Sequence, residues 1–156
     1  MTLEASVKIT SDTKDLKKLV KKLKKLRNAG VDVGFLGGER HREVPEATVA
    51  EIATIHEFGS DDGKIPERPF MRNTVKKHKN YVSLLARESG KVFEKRQSSS
   101  TMIAKMGETV RSDMIQEIAG GNFTPLADST VRAKGSSKPL IRTGFMWNSI
   151  TWRSQK

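Results

Sequence analysis

The most informative segment of this sequence is Ile55-His56-Glu57-Phe58-Gly59, followed shortly by Ile65-Pro66-Glu67-Arg68-Pro69-Phe70-Met71-Arg72. Glycine, proline, aromatic residues and charges all fall within a few positions of one another. Glycine adopts a positive φ at low cost, and proline both holds the preceding chain extended and suits the start of a helix. We therefore predict a structural corner between two helices, made of Phe58, Gly59, Arg68, Pro69 and Phe70.

Within this corner we expect the two aromatic rings and the charged side chains to have structural roles. Phe58 and Phe70 flank a polar loop, and they are predicted to pack together as core aromatics. Glu57 and Glu67 could in principle form an acid–base pair. We expect instead that one of them pairs with Arg68 or Arg72, because the planar guanidinium group binds carboxylates in a bidentate way.

The sequence offers no pattern of catalytic or metal-binding residues. His56-Glu57 begins like a zinc protease motif, but position 60 is Ser60 rather than a second histidine. No serine lies in a Gly-x-Ser-x-Gly elbow, and the chain has no cysteine. We predict no catalytic, cofactor-binding or metal-binding residue, and we expect His56 to be a partly buried core or capping residue.

Periodic leucines predict a helix near the N-terminus, capped by Ser11 or Asp12 and ended by Asn28-Ala29-Gly30. The helix face opposite these leucines is basic. Such a face is typical either of a solvated surface or of a contact with DNA or an acidic partner. Lysine without interleaved aromatic residues argues against base stacking. The basic residues are Lys14, Lys17, Lys18, Lys21, Lys22, Lys24, Lys25 and Arg27.

The remaining patterns predict alternating short strands and longer helices. Strands are expected at residues 6–10, 31–36 and 149–153. A short helix should begin at Pro45 and end at Phe58-Gly59. A long helix should run from Pro69 to about Phe93, and a serine turn should lead into another ending at Gly120-Gly121. Residues 122–138 are polar and are expected to form a flexible loop, or in a ring-forming protein to order against a neighbouring copy.

These elements predict one α+β domain spanning residues 1–156. A small, mostly antiparallel sheet would come from the segments near Val7, Val33 and Ile150, and it would pack against several helices that include a long helical hairpin. Near the C-terminus, Thr143, Gly144, Phe145, Met146 and Trp147 combine large apolar groups with a turn. They are predicted either as core residues or as a subunit interface, where aromatic residues and methionine are enriched.

Composition places limits on the partners of the chain. The formal net charge of +11 predicts a positive potential that attracts nucleic acid, anionic membranes or acidic proteins. Hydrophobic content is 35% and charged content is 30%, so part of the length is expected to be surface, arm or subunit contact. We find neither a signal peptide pattern nor a long apolar run, and we expect no membrane association.

Three motifs in this order resemble a known protein family. The sequence has an I-H-E-F-G helix end, then I-P-x-R-P-F, and then P-L-x-x-T-G-x-x-x-x-S-I beginning at Pro139. These motifs are similar to those of the neck and tail-completion proteins of tailed bacteriophages. The resemblance covers roughly residues 49–152, with no matching motif between about 75 and 130. The family often has an acidic residue where this sequence has Arg142, so the resemblance does not imply a salt bridge at that position.

The resemblance implies a structural, non-enzymatic virion protein that forms a hexameric or dodecameric ring at the head–tail joint. It would act as a neck, tail-completion or tail-terminator protein after assembly in the host cytoplasm. Its partners would be connector or head-closure proteins and tail-tube or terminator proteins, with packaged DNA passing through the central channel. The alternative is a nucleic-acid-binding protein that uses the basic face from Lys14 to Arg27, with affinity that falls steeply with salt.

Overall fold

The computed structural model describes residues 13–42 and 44–155. This part of the chain forms seven helices and a two-stranded antiparallel sheet, which confirms the predicted α+β class. In chain order the elements are α1 (Thr13–Arg27), β1 (Val31–Gly34), α2 (Val49–Phe58), α3 (Phe70–Val75), α4 (His78–Phe93), α5 (Ser99–Gly120), α6 (Asp128–Lys134), α7 (Phe145–Asn148) and β2 (Thr151–Ser154).

The sheet joins two distant parts of the sequence. β1 pairs with β2 so that Val33 lies opposite Trp152 and Val31 lies opposite Ser154. Two of the three predicted strand segments therefore pair as expected, although β1 already ends at Gly34. The third predicted strand, at residues 6–10, lies outside the described residues.

Helix α5 supports the core. Ser98 caps its N-terminus by accepting a hydrogen bond from the backbone N–H of Thr101 at 3.0 Å. Met114 and Ile118 lie four residues apart on one helical face, so both point into the same apolar cluster. The buried members of that cluster are Val49, Ala53, Phe70, Met114, Ile118, Met146 and Ile150.

α4 and α5 form the predicted helical hairpin. Near the start of α4 the Tyr81 hydroxyl bonds Asp113 at 2.8 Å, whereas Ser89, near its end, contacts Met102 at the start of α5. The helices are thus antiparallel.

Lys76 and Lys77 separate α3 from α4, so the single long helix predicted from Pro69 to Phe93 is wrong. Backbone bonds from Lys76 to Arg72 and from Lys77 to Thr74 close a turn at this point.

The start of α2 also differs from the prediction. The helix begins at Val49 rather than Pro45, because Thr48 and Glu51 form a capping box. The Glu51 carboxylate accepts from the Thr48 backbone at 2.7 Å, and Glu51 N–H donates to the Thr48 hydroxyl at 3.2 Å. These reciprocal bonds satisfy two N–H groups at the helix start.

Residues 122–138 include a helix that the sequence did not predict. This helix is α6, and Gly135 caps its C-terminal end in the left-handed conformation. The carbonyl of Thr124 accepts a hydrogen bond from Arg68 Nε at 3.1 Å, which attaches this segment to the corner. The prediction of irregular structure is therefore wrong for Asp128–Lys134, whereas the flexibility of the segment stays a prediction.

α1 follows the predicted leucine periodicity, but most of its apolar stripe is exposed. Leu16, Leu19, Val20 and Leu23 are all exposed, whereas Leu26 lies against the body beside Met102 and Met106. The helix is attached near its C-terminal end, where Lys22 Nζ donates to the carbonyl of Val92 at 3.3 Å. Among the described residues, no helix is long and apolar enough to cross a membrane.

Candidate functional site

The predicted corner centres on Glu57, the penultimate residue of α2. Its carboxylate is buried and accepts hydrogen bonds from the backbone N–H groups of Met71 at 2.8 Å and Arg72 at 2.9 Å. These N–H groups belong to the first turn of α3, where no earlier carbonyl is available to accept them. A side chain from α2 thus caps α3 and fixes the angle between the two helices.

Arg72 completes this arrangement from the α3 side. Its Nε donates to the Glu57 carboxylate at 3.0 Å, and its Nη2 donates to the Glu57 carbonyl at 2.6 Å and to Glu67 at 2.9 Å. The predicted pairing of a corner carboxylate with arginine is confirmed for Arg72. The hydrogen bonds to Glu67 and Glu57 raise the pKa of the Arg72 guanidinium above its ordinary value. The loop between the helices is therefore held at both ends.

The two corner aromatics do not pack together as predicted. Phe70 is fully buried and meets Phe35 edge to face, with ring centroids 6.2 Å apart. Phe58 is 65% exposed, and the Arg72 guanidinium lies 5.1 Å from its ring centroid. The prediction of Phe58 as a core residue is wrong because the Glu57–Arg72 contact occupies the inner side of the helix end and leaves the Phe58 ring outside.

Gly59, Arg68 and Pro69 shape the backbone of the corner. Gly59 has φ of +81°, and a Cβ there would lie 3.0 Å from the carbonyl oxygen of Ile65. Its positive φ was predicted, but its ψ of 173° is extended rather than helical. Arg68 is buried, and its backbone N–H donates to the carbonyl of His56 at 2.7 Å. Burial lowers the pKa of the Arg68 guanidinium. Pro69 takes the N-cap position of α3.

A second buried carboxylate, Glu88 on α4, holds the helical hairpin together. It accepts hydrogen bonds from Lys91 at 2.6 Å, Gln97 at 2.9 Å and Lys105 on α5 at 3.0 Å. These donors, led by Lys91, lower the pKa of Glu88 to about 2. Sequence reasoning missed this residue. Its three-residue spacing from Lys91 was the available signal, but that spacing also occurs on solvated helix faces.

A cavity of about 260 Å³ lies beside His56, and its lining includes apolar residues together with His41, Thr130, Lys134, Arg142 and Thr143. Nδ1 of His56 is buried and has no hydrogen-bond partner within the described part of the chain. Burial, followed by the positive charge of Arg68, lowers the pKa of His56 to about 4, so the imidazole is neutral at pH 7. This half-buried position agrees with the predicted core role of His56.

The C-terminal residues predicted as an alternative subunit interface mostly belong to the chain's own core. Met146 is buried in the central cluster, and Phe145 and Trp147 are half-buried against it. Met146 is therefore wrong as an interface anchor, since its side chain is already covered. Thr143 and Gly144 line the cavity beside His56, and Thr143 is exposed.

The predicted contact residues of the basic helix all lie on α1, and most are exposed. Lys22 is half-buried because it bonds the end of α4, and Arg27 Nε donates to Asn28 at 3.3 Å. The opposite face carries the leucine stripe from which the helix was predicted. In the structure that face is the longest run of exposed apolar residues on one helix. The residues predicted for contact are Lys14, Lys17, Lys18, Lys21, Lys22, Lys24, Lys25 and Arg27.

Within residues 13–42 and 44–155, no group of three or more histidine, cysteine, aspartate or glutamate side chains is placed to hold a metal ion. Comparisons with protein-family models, curated proteins and solved structures find no match for this chain. Among the described residues, the corner exposes Phe58, and the basic helix exposes Leu16, Leu19, Val20 and Leu23.

Proposed function

We propose that the chain is a structural virion protein of a tailed bacteriophage or prophage, and that it self-associates into a ring at the head–tail joint. The order of the three motifs, which resembles neck and tail-completion proteins, supports this assignment. In that position the ring would dock connector or head-closure proteins to the tail tube or its terminator. We propose no catalytic activity for the chain.

The observation that carries the proposal is the distribution of apolar side chains. Nine hydrophobic residues are buried in the described part of the chain, and twelve large hydrophobic residues are exposed. Single exposed apolar residues are normal on any surface, but contiguous ones indicate interaction sites. Here they cluster on α1 and around the corner, which is the arrangement expected of a subunit that completes its core by assembly.

Deleting the gene from a phage that carries it tests this function. We expect the mutant lysate to contain filled heads and separate tails, because the joint cannot close without the ring. Supplying the wild-type chain from a plasmid should restore joined, infectious particles. Normal particles from the deletion strain would refute the proposal, and so would heads that fail to form at all.

The exposed lysines of α1 support a second candidate, a nucleic-acid-binding protein. Lysine acts as a point charge on phosphate, so binding would be independent of sequence and would weaken steeply with salt. Fluorescence anisotropy with a labelled DNA duplex at increasing salt tests this candidate. Replacing Lys17, Lys21 and Lys24 by glutamine should reduce the salt slope if α1 contacts phosphates.

A further inference from the structure

Two segments of the chain carry opposite charge in a protein that is strongly basic overall. Residues 14–27 hold eight basic side chains and one acidic one, whereas residues 44–67 hold six carboxylates and a single lysine. We call the first the basic helix and the second the acidic segment. Five of the six carboxylates, Glu46, Glu51, Asp61, Asp62 and Glu67, belong to exposed residues.

Both segments also expose apolar side chains. The basic helix exposes Leu16, Leu19, Val20 and Leu23 on one face. The acidic segment exposes Val44, Ile55, Phe58 and Ile65, and Val75 lies beside Phe58 around a shallow depression whose lining also includes Arg72 and Lys76. Eight of the twelve exposed large hydrophobic residues therefore belong to these two oppositely charged segments. Each segment therefore combines exposed apolar side chains with charges of one predominant sign, and protein interfaces contain both kinds of group.

The two segments are attached to opposite ends of α5. The basic helix meets the body at Leu26, beside Met102 and Met106 in the first half of α5. The acidic segment meets it through Val49 and Ala53, which pack in the cluster with Ile118 near the other end. Met102 and Ile118 are separated by about 24 Å along the helix axis at 1.5 Å per residue. In the folded chain neither surface covers the other, since both remain exposed.

We infer that the basic helix of one copy docks on the acidic segment of the next copy. The leucines of α1 would contact Ile55, Phe58 and Ile65, and the lysines beside them would face the surrounding carboxylates. This contact uses two different surfaces, so it is heterologous and leaves one free surface at each end of a pair. Successive copies then form a ring when the rotation between them closes.

A second copy explains the observations better than other occupants of the basic helix. DNA would use the lysines but would leave the leucine stripe exposed to water. An anionic membrane would bind both the lysines and the leucines of α1, since amphipathic basic helices bind such surfaces. Neither occupant accounts for an acidic, apolar surface elsewhere on the same chain. Part of that surface charge is already paired, because Lys64 contacts Asp62 and Arg72 contacts Glu67.

The inference rests on the proposed self-association and identifies the surfaces that perform it. Two variants of the full-length chain separate the surfaces. The helix variant carries Leu16→Gln, Leu19→Gln and Leu23→Gln, and the segment variant carries Ile55→Gln and Phe58→Gln. Glutamine keeps helix propensity while removing apolar contact. Val82→Gln serves as a matched control, since Val82 on α4 is 62% exposed, as is Leu16.

Sedimentation equilibrium should show an assembled wild type, and each variant should raise the dissociation constant for self-association by about tenfold or more. The control should assemble like the wild type. An equimolar mixture of the two variants should form a one-to-one complex and nothing larger, because only one productive contact remains.

Charge reversal provides an independent check. Lys17→Glu with Lys21→Glu should weaken assembly, and adding Glu46→Lys with Asp61→Lys should restore it.

The outcomes separate this inference from the proposed function. Assembly of either variant at wild-type affinity would overturn the docking inference but leave ring formation intact. A mixture that stays monomeric would also overturn it, because the two surfaces would not be complementary. A wild type that is monomeric at every concentration would contradict both. Binding to anionic vesicles or duplex DNA through α1, with self-association unchanged in the variants, would overturn the docking inference alone.

Discussion

The Glu57 carboxylate accepts hydrogen bonds from both the backbone N–H and the side-chain Nε of Arg72, at 2.9 and 3.0 Å. One buried acid thus serves as the N-terminal cap of α3 and as the ionic partner of an arginine on the same helix. The same contact leaves the Phe58 ring outside, under the Arg72 guanidinium. The stability of the corner and the exposure of its aromatic residue have a common cause.

We expect Glu57→Ala to lower the free energy of unfolding by about 3 kcal/mol, because it removes the acceptor of Arg72 Nε and of two part-buried backbone N–H groups. Urea denaturation followed by circular dichroism measures this loss. Glu67→Gln is the matched control, since Glu67 bonds the same arginine at the surface and should change stability by less than about 0.5 kcal/mol. Equal effects at the two positions would contradict a special role for the buried cap.

Phe70 and Phe58 should respond differently to truncation. Phe70→Ala should cost about 3–5 kcal/mol of stability because the ring is fully buried against Phe35. Phe58→Ala should lower the free energy of unfolding by less than about 1 kcal/mol, since the ring is mostly exposed and its removal breaks mainly a cation–π contact. Thermal and urea unfolding of the two variants compare these values directly. A large loss in Phe58→Ala would mean that Phe58 belongs to the core after all.

Glu88 should make the stability of the hairpin depend on pH in the acid range. Its pKa is lowered from the ordinary 4.5 to about 2 in the folded chain, so its contribution is fully present above pH 4.5. The contribution is lost as the pH falls from about 4.5 to about 2, because the carboxylate is then protonated in both states.

The variant Glu88→Gln isolates this contribution. The difference in urea midpoint between wild type and Glu88→Gln should be constant near neutral pH and should shrink below pH 4.5. Glu94→Gln is a control at the exposed end of the same hairpin, where Glu94 pairs with Arg96. A difference between wild type and Glu88→Gln that persists unchanged at pH 2 would show that Glu88 acts through packing rather than charge.

Gly107 allows α5 to approach β2 closely. A Cβ at this position would lie 2.5 Å from Cδ2 of the Trp152 indole, so Gly107→Ala should destabilise the fold by about 1–3 kcal/mol. Gly90 is also helical but has open space where a Cβ would point, and Gly90→Ala should stabilise by about 0.5–1 kcal/mol. Differential scanning calorimetry should therefore show melting temperatures that shift in opposite directions.

Local patterns predicted most of the elements. The leucine spacing of α1, the Phe58-Gly59 helix end, the serine-capped α5 and the terminal strand follow from periodicity and capping residues. The start of α2 was predictable but missed, since Thr48 and Glu51 have the spacing of a capping box. The α3–α4 break was not predictable, because Lys76 and Lys77 are good helix formers and neither glycine nor proline marks the turn.

Burial was harder to predict than secondary structure. Phe58 and the α1 leucines have the spacing of core residues, but spacing gives the direction of a side chain and not whether another element covers it. Gly107 and Trp152 are in close contact but lie 45 positions apart, so no local sequence pattern indicates that they meet. The Glu88 cluster likewise depends on Lys105, which only the hairpin brings near. Exposed apolar faces of this kind are where the sequence-based expectation and the fold differ most.

The most direct test is cryo-electron microscopy of the head–tail joint in particles of a phage that encodes this chain. The proposed function predicts a closed ring of six or twelve copies around the DNA path, and the docking inference predicts that α1 of each copy lies on residues 44–67 of its neighbour. Density at the joint that is fully explained by other proteins, with this chain absent from the particle, would contradict the account.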